Sequence, residues 1–204
     1  MLHVIRDMLE SAGFEDVEIE DRWWDEGDDE EKDTRRPDIT AYNPRNRRRY
    51  VIDVVGAWAV RAGGEEEGGS RAPGHAASGK ERGKQLSYRG AMKRQEDGGH
   101  GWLVKGKTQA ADIFMPFGFE VGGALGKKAE ELMVEAVQVA EWKNRGVGDL
   151  AHWSSVTWGG HWRQRIGVEI HRGVARCVEK AATGGWAGSG AGHSRSHEYD
   201  RDCC

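Results

Sequence analysis

Cysteine is scarce: Cys177 and the adjacent pair Cys203 and Cys204 are all that 204 residues contain. That number and placement exclude a disulfide framework and suit a reducing compartment. Long apolar runs are missing too, so no segment approaches the length of a membrane span. Nothing ahead of the first helical pattern reads as a signal peptide. The expected location is therefore intracellular. An excess of positive charge is also absent, since the formal net charge is -4. No global field attracts polyanions, and any nucleic-acid binding must come from local basic clusters. Hydrophobic residues make up 37% of the chain against 31% charged ones, which leaves a modest core and many loops within one domain.

What is plentiful is glycine, 30 residues of it, and it clusters. Residues 61–79 are rich in Gly, Ala, Ser and Glu and carry no periodicity, so they read as a flexible insert. Residues 25–34 form an acidic insert that lacks the ligand order of a calcium loop and reads as a solvated one. The tail, 183–204, is rich in Gly, Ser, His and Asp and reads as disordered. It holds His193, His197, Cys203 and Cys204, but adjacent cysteines do not suit a structural zinc site. The domain is thus expected over 1–182.

The informative stretch is Arg35-Arg36-Pro37-Asp38-Ile39-Thr40-Ala41-Tyr42, a basic turn, and Arg49-Tyr50-Val51-Ile52-Asp53-Val54-Val55. Both arms alternate and are rich in strand formers, and Asn43 to Arg48 is turn chemistry. A loop from Pro44 to Arg47 pairs Tyr42 with Arg49 and, counting outward, Asp38 with Asp53. Two facing carboxylates repel. A hard divalent cation, magnesium or manganese, resolves the repulsion through oxygen ligands, with water and phosphate filling its remaining sites. Such an ion activates water and stabilises charge on a phosphate. The plain alternative has Asp38 capping a turn and Asp53 in solvent, but Asp53 lies within Tyr-Val-Ile-Asp-Val-Val, where an unpaired charge is costly. Arg45, Arg47, Arg48 and Arg49, with Arg35 and Arg36, are candidate phosphate contacts beside these strands; a solubilising turn is the alternative.

The remaining elements follow from periodicity. Leu2, Ile5, Leu9 and Ala12 mark a first helix ended by Gly13, and Val17 and Ile19 a short strand. Asp7 and Glu10 on this helix are candidates to assist a metal, or simply a solvated face. Lys80 to Asp97 reads as a helix weakened by Gly83 and Gly90, with Lys84 and Tyr88 on one face. Residues 101–104 suggest a short strand. Ile113 to Val121 is the next, with Pro116 at its start or on an edge. Lys127 to Lys143 is the clearest helix, with Ala129, Leu132, Met133, Ala136, Val137 and Ala140 as its apolar face. A last helix spans Trp162 to Ala181, with Ile166, Ile170, Val174, Cys177 and Val178 as its stripe. Five of nine tryptophans follow residue 140 and read as core filler, with base stacking as the other use.

Pro37-Asp38, fourteen residues, then Asp53 resembles the PD-(D/E)XK restriction-like nuclease pattern. More narrowly, the chain is similar to the endonuclease domain at the C-terminal end of site-specific non-LTR retrotransposon polyproteins. His3 with the helix ending at Ala12-Gly13, Lys84-x-x-x-Tyr88, Phe117-x-x-Glu120-x-x-Gly123, and Trp162 to Ile166 with Arg172-Gly173-x-Ala175 look like that family's further motifs, in order. The resemblance covers about residues 3 to 180. It implies an α/β (α+β) restriction-endonuclease-like fold with a mixed central sheet of about four strands, the first helix on one side and later helices on the other. It further implies a DNA-nicking endonuclease of a retroelement-derived protein. The metal, Mg2+ or Mn2+, would be held by Asp38 and Asp53 with Glu120 as a third candidate. The usual signature lysine would stand at Val55 here; the resemblance moves that role to Lys84, rivalled by Lys80 and Lys93, with Tyr88 orienting Lys84 or substrate. The implied partners are DNA and a reverse transcriptase or RNA of the parent element, in an intracellular or nuclear location, and no membrane. The family carries a Cys/His knuckle ahead of the nuclease; this chain has no such residues there, so zinc-assisted docking is missing or was cut away. The rival readings are an inactive nucleic-acid-binding relic of the same fold and a repair or junction nuclease.

Overall fold

The computed structural model describes residues 1–19, 37–58, 72–96, 112–143 and 157–183, with the side chains of 89–96 excepted. Within them the chain folds as α1 (Leu2–Ala12), β1 (Glu15–Ile19), β2 (Ile39–Asn43), β3 (Arg48–Ala57), α2 (His75–Glu96), β4 (Ile113–Glu120), α3 (Lys127–Trp142) and α4 (Trp158–Ala182). The strands form one mixed sheet in the order β1-β2-β3-β4. The first three are antiparallel neighbours, and β4 runs parallel to β3. The fold is therefore mixed α/β, with four strands and four helices among the described residues. The acidic insert, the possible strand at 101–104, and Arg35 and Arg36 lie outside the described residues, as do His193, His197, Cys203 and Cys204.

The hairpin has the register that its turn chemistry demands. Residues 44–47 form the turn, and Tyr42 pairs with Arg49, Thr40 with Val51, and Ile39 with Ile52. Asn43 explains the sharp reversal. It is fully buried, its Oδ1 accepts from the backbone N–H of Arg45 at 2.9 Å, and its Nδ2 donates to Glu135 on α3 at 2.8 Å. Just outside the ladder, the Asp38 N–H donates to the Ile52 carbonyl at 3.0 Å, a bond one residue off the ladder's register, so regular pairing ends at Ile39 and Ile52 rather than running on to Asp38 and Asp53.

The two faces of the sheet differ in chemistry. One presents Ile39, Ala41, Tyr50, Ile52, Met115, Phe117 and Phe119 to a single core with residues of α1, α3 and α4. The sequence-based expectation put the first helix across the sheet from the later ones. Instead α1 shares its side with α3 and α4, because Ile5, Met8, Leu9 and Ala12 pack into the same cluster as Leu132, Met133, Trp162 and Ile166. The opposite face, carrying Asp53, Phe114 and Gly118, is covered by α2. Gly13 ends α1 in a left-handed conformation (φ 100), and the Phe14 N–H closes back on Leu9 O at 3.0 Å.

Pro116 sits in the middle of β4 rather than at its start, yet β4 is an edge strand of the described sheet. The N–H groups of Gly118 and Glu120 donate away from β3, to Glu81 and to the Ala124 carbonyl. By the two-residue period, the missing donor of Pro116 falls on that outer edge and costs no ladder bond.

Three boundaries depart from expectation. Helix α2 begins at His75, so 75–79 of the glycine-rich insert are helical, and Ala77 is fully buried. On α3 the buried face takes in Val139, with Val137 only partly covered. Helix α4 begins at Trp158, capped by the Thr157 hydroxyl, and its buried stripe stops at Ile170; Val178 is 61% exposed. Of the described tryptophans, Trp158 and Trp162 fill core, whereas Trp58 and Trp142 are exposed.

Candidate active site

Asp53 stands mid-way along β3 with its side chain on the α2 face, and is buried although charged. Its place follows from alternation: Ile52 goes into the main core, so Asp53 goes to the other side. Asp38 flanks it from the start of β2. Asp38 Oδ2 accepts a 2.6 Å hydrogen bond from the Val54 N–H, which fixes the carboxylate against β3. Burial pushes the Asp38 pKa up to about 7, and the charge of Asp53 adds to the rise; the Val54 N–H and Lys84 oppose it. The two carboxylates therefore sit close enough for the charge of Asp53 to act on Asp38.

Lys84 reaches the pair from α2, with Nζ 2.8 Å from Asp53 Oδ2. Asp53 Oδ2 is thus a buried carboxylate oxygen facing the Lys84 ammonium. The sequence thus named three residues that the fold brings together from a hairpin and a helix thirty-one positions later. Val55, the usual place of the lysine, is a half-buried valine on β3.

The other candidates lie elsewhere. Tyr88 is buried, and its ring stacks on Phe114 at 4.3 Å, so the ring secures α2 to the sheet. Glu120 is buried at the far end of β4. Ala57 is its partner on β3, while Asp53 pairs with Pro116. Four residues of strand separate the two acids, about 13 Å. Glu120 Oε1 instead accepts from the Ala76 N–H in the first turn of α2, at 3.0 Å. Among the described residues no three His, Cys, Asp or Glu side chains come together as a metal-binding group.

The basic turn lies at the opposite end of the hairpin from Asp38, not beside it. Arg48 is five residues from Asp53 along β3, or about 16 Å. Arg45 is engaged with α3, its Nη1 2.7 Å from Gln138 and 3.4 Å from Glu135. Arg47 occupies the turn with φ 57, and Arg49 pairs across to Tyr42. Asp7 and Glu10 face Arg6, and Asp7 also approaches Arg165 of α4. They sit on the α4 side of the sheet, away from Asp53.

Glu81 is the residue near this site that sequence reading passed over. It is 1% exposed, and its carboxylate accepts from three backbone N–H groups: Gly118 at 3.0 Å, Lys128 at 2.9 Å and Ala129 at 2.9 Å. Nothing in the charged run Lys80-Glu81-Arg82 marks the middle residue as the buried one.

The donor set fits a hard divalent cation. Two adjacent carboxylates, one of them with a raised pKa, supply the hard oxygen ligands such an ion takes. Compared with known protein families, curated proteins and solved structures, the chain shows no match. Among the described residues no helix is long and apolar enough to cross a membrane.

Proposed function

We propose that this chain is a metal-dependent endonuclease domain that nicks DNA, with a restriction-endonuclease-like architecture akin to that of retroelement endonucleases. The observation that supports it best is the convergence of the buried Asp53 with Asp38 and with Lys84, whose Nζ lies 2.8 Å from Asp53 Oδ2. Asp38 and Asp53 would hold Mg2+ or Mn2+, which supplies Lewis acidity and a more acidic bound water. The backbone of β3 orients both carboxylates, one directly and one through the Val54 N–H. Lys84 is half-exposed, so its ammonium can meet a scissile phosphate and stabilise charge developing there. Arg47, Arg48 and Arg49 would hold flanking phosphates about one strand-length away.

A second reading has an observation of its own. The Lys84–Asp53 pair is already neutralised within the protein, as expected of a nucleic-acid-binding relic that no longer turns over. Nicking of supercoiled plasmid in Mg2+ or Mn2+ separates the two. The endonuclease reading expects nicking that falls at least about a hundredfold in Asp38→Ala, Asp53→Ala and Lys84→Ala. DNA binding without nicking by the parent protein would favour the relic. Nicking that survives both aspartate substitutions would remove the hairpin from the mechanism, and a preference for branched DNA would favour a junction nuclease.

A further inference from the structure

Helix α2 carries Lys84 to Asp53, yet its described side chains offer little apolar surface with which to grip the sheet. Among its described residues only Ala77, Glu81 and Tyr88 are buried, and Leu86 is 67% exposed. The grip is polar instead. Glu81 is enclosed, and its two oxygens take three N–H groups from two different elements, the edge of β4 and the first turn of α3. These are donors that the strand edge and the helix start leave without partners of their own. A carboxylate at the start of α3 also meets the positive end of that helix.

Gly118 makes the approach possible. A Cβ there would lie 2.7 Å from Glu81 Cγ and 2.8 Å from the Ala77 carbonyl. Lys84 follows Glu81 by three residues, so the two share one side of α2 and their Cβ atoms are about 5–6 Å apart. Tyr88, stacked on Phe114, holds the next turn. Lys84 is therefore suspended between two fixed points.

We propose that Glu81 is a positioning residue: it sets the height and rotation of α2 so that the Lys84 ammonium is delivered to Asp53. The catalytic meaning of this rests on the endonuclease reading above; the positioning itself does not. Without the tether, the four-carbon lysine stem samples solvent, and the cost falls on turnover rather than on substrate binding.

The experiment follows the Lys84 side chain by NMR in lysine-labelled protein, its signal assigned by loss in Lys84→Arg. In the parent protein Lys84 should be more ordered than the exposed Lys80 on the same helix; equal mobility overturns the proposal. In Glu81→Gln, which turns one acceptor into a donor facing an N–H, the Lys84 signal should move to the position of free lysines. Turnover should fall about ten- to a hundredfold with KM unchanged. Ser78→Ala is the control. Ser78 Oγ accepts from the Lys127 N–H at 3.0 Å and donates to the Gly74 carbonyl, so its loss weakens the starts of both α2 and α3 while leaving the Glu81 bonds in place, and the Lys84 signal should stay. An unmoved Lys84 signal in folded Glu81→Gln overturns the proposal and leaves Glu81 a cap for α3 alone. If Glu81→Gln does not fold, Glu81→Asp, which keeps the buried charge one methylene shorter, is read the same way. A protein that never nicks, but whose Lys84 signal responds to Glu81, would sink the endonuclease reading and leave the positioning intact.

Discussion

Asp38 carries its proton up to about pH 7 because burial and the Asp53 charge both penalise the carboxylate form. The folded state therefore binds this proton more tightly than the unfolded chain. Its contribution to stability is full below about pH 4 and is lost as the pH rises through about 7. The urea midpoint of metal-free protein is accordingly expected to fall between pH 5 and pH 8, and Asp38→Asn to flatten the upper part of that slope. Asp112, raised to about 6 by burial and only partly offset by Arg49, adds a slope of the same sign that ends lower, so the lower part persists. An unchanged slope above pH 6 in Asp38→Asn would mean that Asp38 is not the group responsible. Asp53→Asn tests the pair from the other side. It removes the repulsion and leaves half-exposed Lys84 to solvent, so nicking should vanish while thermal stability holds or rises, as differential scanning calorimetry would report. At this scale the sequence was partly legible. Asp53 stood out as a charge within an apolar strand, and alternation told which face it takes. Glu81 did not stand out, because its burial depends on where α3 begins, and no local pattern carries that.

Elements whose ends are fixed by local chemistry were readable. The hairpin register follows from Asn43-Pro44 and the alternation on both sides, and α1 ends where Gly13 requires it. The hairpin turn is expected to depend on Asn43: Asn43→Ala deletes acceptors for Arg45 and Asn46 and a donor to Glu135 in a buried place. A loss of about 1–3 kcal/mol in urea unfolding should follow. A loss near zero would mean that strand pairing alone sets the turn. The start of α2 was not readable. His75-Ala76-Ala77-Ser78-Gly79 has no apolar period, and its helical form is held by Glu120 at Ala76 and by Ser78 bridging Gly74 and Lys127. Tertiary partners overrode weak propensity there. The stripe on α4 erred in the opposite direction: periodicity continues to Val178, but the sheet beneath it does not.

For the whole molecule, composition and element order were enough for a mixed sheet covered by helices, whereas the sides the helices take were not. Side choice depends on crossover paths, and the stretches that make those crossovers here are the glycine-rich and charged ones with no pattern to read. The layering predicts uneven stability. Residues 162–170 of α4 lie on the common core, and residues 175–182 are mostly exposed. Amide hydrogen exchange should be slow in the first span and orders of magnitude faster in the second; uniform protection along α4 would show that something else covers its end.

The parallel pairing of β4 to β3 has a consequence in time. The β2–β3 hairpin closes locally, in about 1–10 μs. The β3–β4 ladder waits for the long connection from Ala57 to Ile113, which contains α2 and Lys84. In that interval the hairpin is expected to bring Asp38 beside Asp53 with no lysine to offset them. Charge repulsion then acts as a brake on the folding rate that protons or divalent cations release. Stopped-flow refolding should quicken as the pH is lowered from 8 toward 6, and on adding Mg2+ at pH 8, with both effects absent in Asp38→Asn. The carboxylate pair would thus tie the speed of assembly to the ionic conditions under which the chain is made.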